Sequence, residues 1–402
     1  MGSKHTIGEL YQMQSLSLRS KVAMTQRRIK DWYNEYDGQV YVSFSGGKDS
    51  TVLVDIVTKM GYKDIPLVFV DTGLEYPEIR EFVKTYGDRV TWLKPKMNFK
   101  QVIEKYGYPF FGKEISETIS HSRKYLTRLR EKENALTDRQ TDRQTDRQMP
   151  YSNQFADLVG IDRRRDKDNE LFQKIKTGSI PSAPLRFKQL LVVAKNKDGE
   201  ADSLYNKSKY LFMLEAPFEV SNLCCNVMKK APAHKYGKET GRKPITAQMA
   251  SESRQRTQKW LQNGCNGFDM KSPISNPMAF WTEQDVLLYI KENNLPICSV
   301  YGEVVEDLSG TNEVEGQLKI HDLADCELFD NTTTLKTTGC NRTGCMFCGF
   351  GCHLEKESRF ERMKETHPKI YDYVFKPWDE GGLGYKDVID WINEHGDMNI
   401  RY

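Results

Sequence analysis

Hydrophobic and polar positions form blocks along the first hundred residues, and the blocks have the lengths of strands and helices. Short apolar runs at 40–44, 66–70 and 89–93 predict three buried strands. Between them, 51–60 and 77–86 carry apolar residues at the spacing of a helix. Because strands and helices alternate over short connections, the pattern predicts a doubly wound α/β fold, with a parallel sheet between two layers of helices.

The rest of the chain gives a coarser pattern. Apolar positions over 8–36 predict one amphipathic helix, and 283–293 and most of 354–397 also have helical spacing. Residues 115–205 form a charged stretch that contains three tandem copies of Thr-Asp-Arg-Gln at 137–148. These copies indicate either a basic stripe for a polyanion or a solvated helical insertion. Their aspartates cancel the arginine charge and favour the insertion. The predicted organisation is an N-terminal helix (1–37), an α/β domain (38–114 and 206–300), a charged insertion (115–205), and a cysteine-rich loop with a helical C-terminal region (301–402).

A glycine-containing loop joins the first predicted strand to the next helix. Its residues are Ser45, Gly46, Gly47, Lys48, Asp49 and Ser50. The glycines let the backbone approach phosphate oxygens, and the N–H groups at the helix start favour a bound anion. Ser45 and Ser50 add hydroxyl groups and Lys48 a positive charge, while Asp49 suits orienting the loop or binding Mg²⁺. The loop is not a Walker A motif, because an aspartate follows the lysine and no glycine stands five residues before it.

The loop resembles the SGGxDS loop of the N-type ATP pyrophosphatases, the PP-loop group of adenine nucleotide alpha hydrolase-like proteins. In that group the loop holds the pyrophosphate part of ATP while an acceptor is adenylated. The segment from Asp71 to Glu78 resembles the DTG segment of the phosphoadenosine phosphosulfate (PAPS) reductase family. The resemblance implies a Rossmann-like fold, with 38–114 and 206–300 as the nucleotide-binding domain and with ATP and Mg²⁺ as ligands.

The same resemblance implies roles for individual residues. It makes Ser45, Lys48 and Asp49 the catalytic residues of the loop. It also places the base and ribose of ATP near Asp71, Thr72 and Gly73.

Six of the nine cysteines are grouped and suit a metal site. Cys224 and Cys225 are adjacent, and Cys345 and Cys348 form a CxxC. Dense thiolates suit zinc or an iron–sulfur cluster. The pair with the distant CxxC resembles the [4Fe–4S] signature of assimilatory adenylylsulfate reductases, which implies these four ligands, with Cys340 as a substitute. Two alternatives stay open: zinc as the metal, and ligation by the CxxC with its flanking Cys340 and Cys352 alone.

Two further segments bear on the site. Residues 275–297 resemble the family's "NPL…WT..DVW.YI…N.IP" helix lead-in. The basic segment that contains Arg254 and Arg256 indicates either a clamp for phosphate or sulfate or a solvated charged loop. The isolated Cys265, Cys298 and Cys326 are predicted to be buried small apolar residues.

Charge and composition exclude some classes of protein. The chain has 402 residues, with 59 Lys+Arg against 56 Asp+Glu, so its charge of +3 does not argue for nucleic acid. It contains no run of 18 apolar residues, and its start has no apolar signal segment, so neither a membrane span nor secretion is expected. Nine cysteines in such a chain favour metal binding or catalysis in a reducing cytoplasm.

These features predict an ATP-dependent, AMP- and pyrophosphate-forming sulfurtransferase. It resembles the Fe–S sulfurtransferases of DNA phosphorothioation and tRNA thiolation, so the expected acceptor is nucleic acid (DNA or tRNA) or a small sulfonucleotide, with a sulfur-donor protein as a further partner. The last cysteine is Cys352, whereas sulfonucleotide reductases carry a nucleophilic cysteine in a C-terminal tail. A reductase that uses Cys340 or Cys352 is the second hypothesis. A nucleotide- or nucleic-acid-binding regulator without catalysis is the third.

Overall fold

Strands and helices alternate through the first part of the chain, as the sequence predicts. The computed structural model describes residues 3–141, 184–191, 206–307 and 334–402. The strands are β1 (Val40–Ser43), β2 (Leu67–Val70), β3 (Val90–Leu93), β4 (Phe110–Phe111), β5 (Lys243–Ile245), β6 (Asn266–Gly267), β7 (Ile274–Ser275), β8 (Val304–Glu306), β9 (Leu335–Thr337) and β10 (Gly349–Phe350). The α-helices are Ile7–Gln14, Leu18–Glu35, Lys48–Lys59, Pro77–Lys84, Phe99–Tyr106, Lys113–Thr141, Leu185–Leu191, Ala231–Thr240, Arg254–Asn263, Glu283–Glu292, Arg359–Thr366, Pro368–Phe375 and Tyr385–Gly396.

The chain folds into two compact units, each built from two separate stretches. Unit 1 comprises Met1–Lys96 and Met228–Cys345, and unit 2 comprises Met97–Val227 and Met346–Tyr402. These divisions fall at other positions than the predicted domain limits at 114, 206 and 300. The Thr-Asp-Arg-Gln repeat enters the end of the helix Lys113–Thr141, and residues 142–148 lie outside the described part of the chain.

Unit 1 contains a six-stranded sheet in the order β3-β2-β1-β5-β7-β6. Neighbouring strands are parallel except for β6, which pairs antiparallel with β7. In β1, Val40, Tyr41 and Val42 are all buried, as expected for a strand with a helical layer on each face. The predicted α/β fold class with a mostly parallel sheet is therefore confirmed.

The helix predicted over 8–36 is in fact two helices, Ile7–Gln14 and Leu18–Glu35. Ser17 causes the break, because its hydroxyl accepts a hydrogen bond from the N–H of Ser20 and so caps a new helix. The apolar spacing continues across the break, which is why the periodicity alone did not show it.

Unit 2 is mostly helical, as predicted for the C-terminal region. Its core contains Tyr385, which packs against Tyr108, Phe110, Phe360 and Phe375. β4 and β10 pair in parallel beside this core. Among the described residues, no helix combines the length and apolar character needed to cross a membrane.

Candidate active site

Polar residues lie at the carboxyl ends of four neighbouring strands in unit 1. Ser45 lies two residues beyond β1, Asp71 directly follows β2, Thr246 follows β5 and Asn276 follows β7. The Thr246 hydroxyl donates to the side-chain oxygen of Asn276 over 2.5 Å. β1 pairs with β2 on one side and with β5 on the other, so the direction in which successive strands are added to the sheet reverses at β1. Open α/β sheets bind their ligands at such a point.

The loop after β1 is held in a defined conformation by its own side chains. The Ser50 hydroxyl accepts from the N–H of Ser45 over 3.2 Å and donates to the carbonyl of Gly47 over 2.9 Å. Gly46 has φ +70°, and a Cβ there would lie 2.8 Å from a methyl carbon of Val83. Only glycine satisfies both conditions without strain. The helix begins at Lys48, so the loop ends at a helix N-terminus, the usual position of a phosphate-binding loop.

Asp49 lies in the first turn of this helix and is half-buried, with its Oδ1 shielded from solvent. Its Oδ1 makes no hydrogen bond among the described residues. Burial raises the pKa of the Asp49 carboxyl above its ordinary value, the charge on Glu283 adds to the increase, and the charges on Lys48, Arg342 and Arg256 oppose it. A buried carboxylate oxygen without a donor is a suitable ligand for a hard cation such as Mg²⁺.

Lys48 is held by partners from three other segments of unit 1. Its ammonium lies 2.9 Å from Glu283 Oε1 and donates to the carbonyl oxygen of Asn341 over 2.6 Å. The main-chain N–H of Lys48 donates to the hydroxyl of Tyr301 over 3.3 Å, and that hydroxyl lies 2.5 Å from Thr343 Oγ1. Burial raises the pKa of Tyr301 to about 12, so the hydroxyl stays protonated at neutral pH. The loop lysine is thus fixed by direct contacts with residues distant in sequence.

The segment after β2 presents a second group of charged residues. Arg80 Nη2 donates to Asp71 Oδ2 over 2.9 Å, while Asp71 Oδ1 is buried without a hydrogen-bond partner among the described residues. The Thr72 hydroxyl donates to Glu75 Oε1 over 2.7 Å, and the Lys229 ammonium lies 3.7 Å from the same oxygen. A partly satisfied carboxylate at this edge suits the hydroxyl groups of a ribose.

The structure brings the two predicted loops to the same edge of the sheet. The sequence left Arg256 either as part of a clamp or as part of a solvated loop. In the structure Arg256 pairs with Glu252, and its charge opposes the increase in the pKa of Asp49 that burial causes, which favours the clamp. The sequence analysis missed the residues around Lys48, which are Glu283, Tyr301, Asn341 and Thr343. Glu283 stands in the Trp-Thr-Glu segment that carried the family resemblance, and this segment was the available signal.

The predicted metal ligands fall into both units. Cys224, Cys225 and Cys348 belong to unit 2, whereas Cys340 belongs to unit 1 and Cys345 is its last residue. In unit 2, burial raises the pKa of Tyr385 well above its ordinary value. The negative charges of three thiols, Cys348, Cys224 and Cys352, add to this increase. A π-helical turn over Asn226–Lys230 follows the Cys224–Cys225 pair and leads into the helix Ala231–Thr240, and such turns are common at functional sites.

Whether these thiols bind a metal stays a prediction for the described part of the chain. No group of three or more Cys, His, Asp or Glu side chains there has an arrangement that would hold a metal ion. The [4Fe–4S] or zinc assignment and its ligand set therefore stay predictions. Cys265 and Cys298 are buried as expected, and Cys326 lies outside the described residues.

The fold and site define a class: an α/β protein with an anion-binding loop at the carboxyl edge of a parallel sheet. The chain matches the phosphoadenosine phosphosulfate reductase domain family over residues 39–151 and 185–349. Because this match covers more than half of the chain, the protein belongs to that family, as its motifs indicated.

Individual relatives match over shorter stretches. The uncharacterized protein MJ0066 of Methanocaldococcus jannaschii is 39% identical over 85 residues, which are 20% of this chain and 18% of that protein. The adenosine 5'-phosphosulfate reductase of Bacillus velezensis is 30% identical over 94 residues, 22% of this chain and 40% of that enzyme. The matched part thus spans less than half of either relative. A phosphoadenylyl-sulfate (PAPS) reductase structure from Candida auris, in complex with phosphate, aligns with a TM-score of 0.32 and 14% identity over 74% of this chain and 92% of that chain.

Proposed function

We propose that the protein is an enzyme that binds Mg-ATP at the loop Ser45–Ser50 and transfers AMP to an acceptor oxygen, with release of pyrophosphate. The shielded and unpartnered Oδ1 of Asp49, next to the phosphate loop, is the observation that carries this proposal. A carboxylate at an anion site repels a bare phosphate or sulfate. The same carboxylate is favourable when a divalent cation joins it to a polyphosphate.

The residues at the loop fit a magnesium ion. Asp49 Oδ1 is buried without a hydrogen-bond partner among the described residues, and carboxylate oxygen is the ligand type that Mg²⁺ prefers. When bound, Mg²⁺ would neutralise charge on the triphosphate and on the departing pyrophosphate. Lys48 and the N–H groups of the loop would stabilise the negative charge that develops on the leaving group.

The chemistry follows from the position of the loop. An acceptor oxygen attacks the α-phosphorus, the bond from this phosphorus to the bridging oxygen of the β-phosphate breaks, and the acceptor loses its proton to solvent or a base. The Asp71–Gly73 segment would bind the ribose and base and so hold the α-phosphate near the acceptor. The adenylated acceptor is then activated for displacement of AMP by a sulfur nucleophile. Sulfur transfer, to nucleic acid or to a small acceptor, is the outcome the family resemblance favours.

Turnover of ATP tests the proposal. Purified protein is incubated with Mg-ATP, [³²P]pyrophosphate and tRNA or DNA as the acceptor, and label entering ATP is measured together with AMP release. We expect Ser45→Ala and Asp49→Asn to lose at least 100-fold of either activity, whereas Asp88→Asn, which removes an exposed carboxylate elsewhere in unit 1, keeps the wild-type rate. Wild-type rates in Asp49→Asn would contradict the assignment.

A second candidate is reduction of a sulfonucleotide, as named for the Bacillus relative. Arg256 and Arg342 suit a sulfate or phosphate group as well as they suit ATP. This reaction needs a nucleophilic thiolate, and burial raises the pKa of Cys352 to about 12, which disfavours the thiolate. Cys340 is also buried. Release of sulfite from adenylylsulfate in the presence of a dithiol would favour this candidate over adenylation.

A further inference from the structure

The first half of the cysteine-rich loop, residues 340–344, lies against the phosphate loop within unit 1. The carbonyl oxygen of Asn341 accepts from the Lys48 ammonium over 2.6 Å. Two residues later, Thr343 Oγ1 lies 2.5 Å from the Tyr301 hydroxyl and 3.5 Å from the position that a Cβ on Gly47 would take. Arg342 lies between these two residues in the chain, so its backbone is held next to the phosphate loop by the contacts of both neighbours.

Hydrogen bonds to residues 300–301 also fix the backbone at the start of this segment. The N–H of Cys340 donates to the carbonyl of Val300 over 2.9 Å, and the N–H of Gly339 donates to the carbonyl of Tyr301 over 2.8 Å. A Cβ on Gly339 would lie 2.4 Å from the Val300 carbonyl oxygen, so the two strands of backbone are in close contact. The position of Arg342 is thus a property of the fold and not of a loose loop.

The charge of Arg342 affects the pKa values of two residues of the site, Asp49 and Arg256. The Arg342 side chain is exposed and makes no hydrogen bond or ion pair with the rest of the described chain. Its charge nevertheless opposes the increase in the pKa of Asp49 that burial causes. Burial lowers the pKa of Arg256, and the charge of Arg342 adds to this decrease. Arg256 pairs with Glu252, and Lys48 pairs with Glu283, so both have acidic partners. Arg342 is the cation of the group that has no such partner among the described residues.

Two guanidinium groups that repel each other beside a phosphate loop are stabilised by an anion between them. We propose that Arg342 is a nucleotide-binding residue, which contacts the phosphate chain of a nucleoside triphosphate from the cysteine-rich loop. This inference rests on the proposed function and adds a residue from a segment that sequence linked only to metal binding. It follows by linkage that nucleotide binding restrains residues 341–345, which include Cys345.

The test compares Arg342→Gln and Arg342→Lys with Arg19→Gln, which removes an exposed arginine elsewhere in unit 1. Calorimetric affinities are measured for Mg-ATP, for AMP and for inorganic pyrophosphate with Mg²⁺. We expect Arg342→Gln to weaken Mg-ATP and pyrophosphate at least 10-fold and AMP less than 3-fold. Arg342→Lys should recover part of the loss, and Arg19→Gln should match the wild type. Because the side chain is exposed, unchanged melting temperatures should accompany these effects.

The outcomes separate the two proposals. If the wild type binds Mg-ATP and Arg342→Gln binds it equally well, the assignment of Arg342 is wrong and the proposed function stands. If the wild type binds pyrophosphate but not Mg-ATP, the proposed function is wrong and the pyrophosphate series still decides on Arg342. Binding of neither ligand by the wild type contradicts both. Hydrogen exchange adds an independent readout: Mg-ATP should slow exchange of the 341–345 amides in the wild type and not in Arg342→Gln.

Discussion

The ammonium of Lys48 donates a hydrogen bond to the main-chain carbonyl of Asn341 over 2.6 Å, and this bond joins the phosphate loop directly to the cysteine-rich loop. The same ammonium pairs with Glu283, and only 4% of the lysine side chain is exposed. A buried ammonium with two partners restrains the positions of both, here the Asn341 carbonyl and the Glu283 carboxylate. The phosphate loop and the first half of the cysteine-rich loop, residues 340–344, are therefore parts of one structure in unit 1.

Replacing Lys48 by Met should loosen this connection. We expect the free energy of unfolding to fall by about 1–3 kcal/mol, because a hydrogen bond to a charged group is lost and the Asn341 carbonyl is left without its donor. Urea unfolding measures the loss, and amide exchange at 341–343 should accelerate. Lys84→Met is the control, since that lysine is exposed and pairs with the exposed Glu81 three residues earlier in the same helix. Its effect should stay near 0.5 kcal/mol. Equal effects of the two substitutions would contradict the account.

Asp49→Asn should stabilise the nucleotide-free protein while it abolishes Mg-dependent binding. Burial raises the pKa of the Asp49 carboxyl in the folded state, so the folded protein binds the proton more tightly than the unfolded chain. The wild type therefore loses stability as pH rises from the ordinary carboxyl pKa through the raised one. At neutral pH we expect the variant to be more stable by about 1 kcal/mol, a typical penalty for an unsatisfied buried group.

Thermal unfolding between pH 4 and pH 8 checks this sign. The advantage of Asp49→Asn should shrink towards acid pH, where the wild-type carboxyl is protonated in both states. An advantage that grows towards acid pH, or a variant that is less stable throughout, would show that the carboxylate is stabilised in the folded protein.

Gly46→Ala should distort the phosphate loop. The substitution adds a Cβ at φ +70° and places it 2.8 Å and 2.9 Å from methyl carbons of Val83 and Ile79. We expect a loss of about 2–4 kcal/mol, the sum of backbone strain and overpacking. Gly61→Ala is the matched control, because Gly61 has φ +89° with nothing within 4 Å of its Cβ position. It should lose only about 1–2 kcal/mol, from strain alone. Losses of the same size would mean that the contact with Val83 and Ile79 is unimportant.

Lys21→Met should weaken the helix that carries Glu283. The Lys21 ammonium lies 2.7 Å from both oxygens of Asp285, and the two side chains are 3% and 12% exposed. Asp285 also accepts the N–H of Thr282 at the start of this helix. Because the substitution leaves a buried carboxylate without its cation, we expect a loss of about 3–5 kcal/mol in urea unfolding. Lys386→Met breaks an exposed pair with Asp390 and should change stability by less than about 1 kcal/mol.

Local sequence was enough to predict much of unit 1. Short apolar runs and the residues at their ends predicted β1, β2 and β3, the loop Ser45–Ser50 and the position of Asp71. The sequence analysis did not predict β5, β6 and β7, which are only two or three residues long. The break at Ser17 was missed because a capping hydroxyl is a single-residue signal inside a continuous apolar period. The cysteine pattern predicted chemistry and left the ligand set open, since spacing along the chain does not determine which thiols meet.

The contacts of Lys48 show what local sequence cannot give. Asn341 lies 293 residues from Lys48 in the chain, and Tyr301 lies 253 residues away. Neither has a periodicity or a spacing that relates it to the phosphate loop. The relation of Arg342 to Asp49 likewise appears only when the chain is folded.

The central claim is that the site binds a magnesium-linked triphosphate, and a comparison of nucleotide affinities tests it most directly. Anaerobically purified protein is titrated by calorimetry with ATP, adenylylsulfate and phosphoadenylylsulfate, each with Mg²⁺ and with EDTA. We predict that ATP binds most tightly, that EDTA weakens it at least 10-fold, and that Asp49→Asn removes this dependence on Mg²⁺. Tighter binding of a sulfonucleotide, unaffected by EDTA, would contradict the account and make the reductase reaction the leading hypothesis.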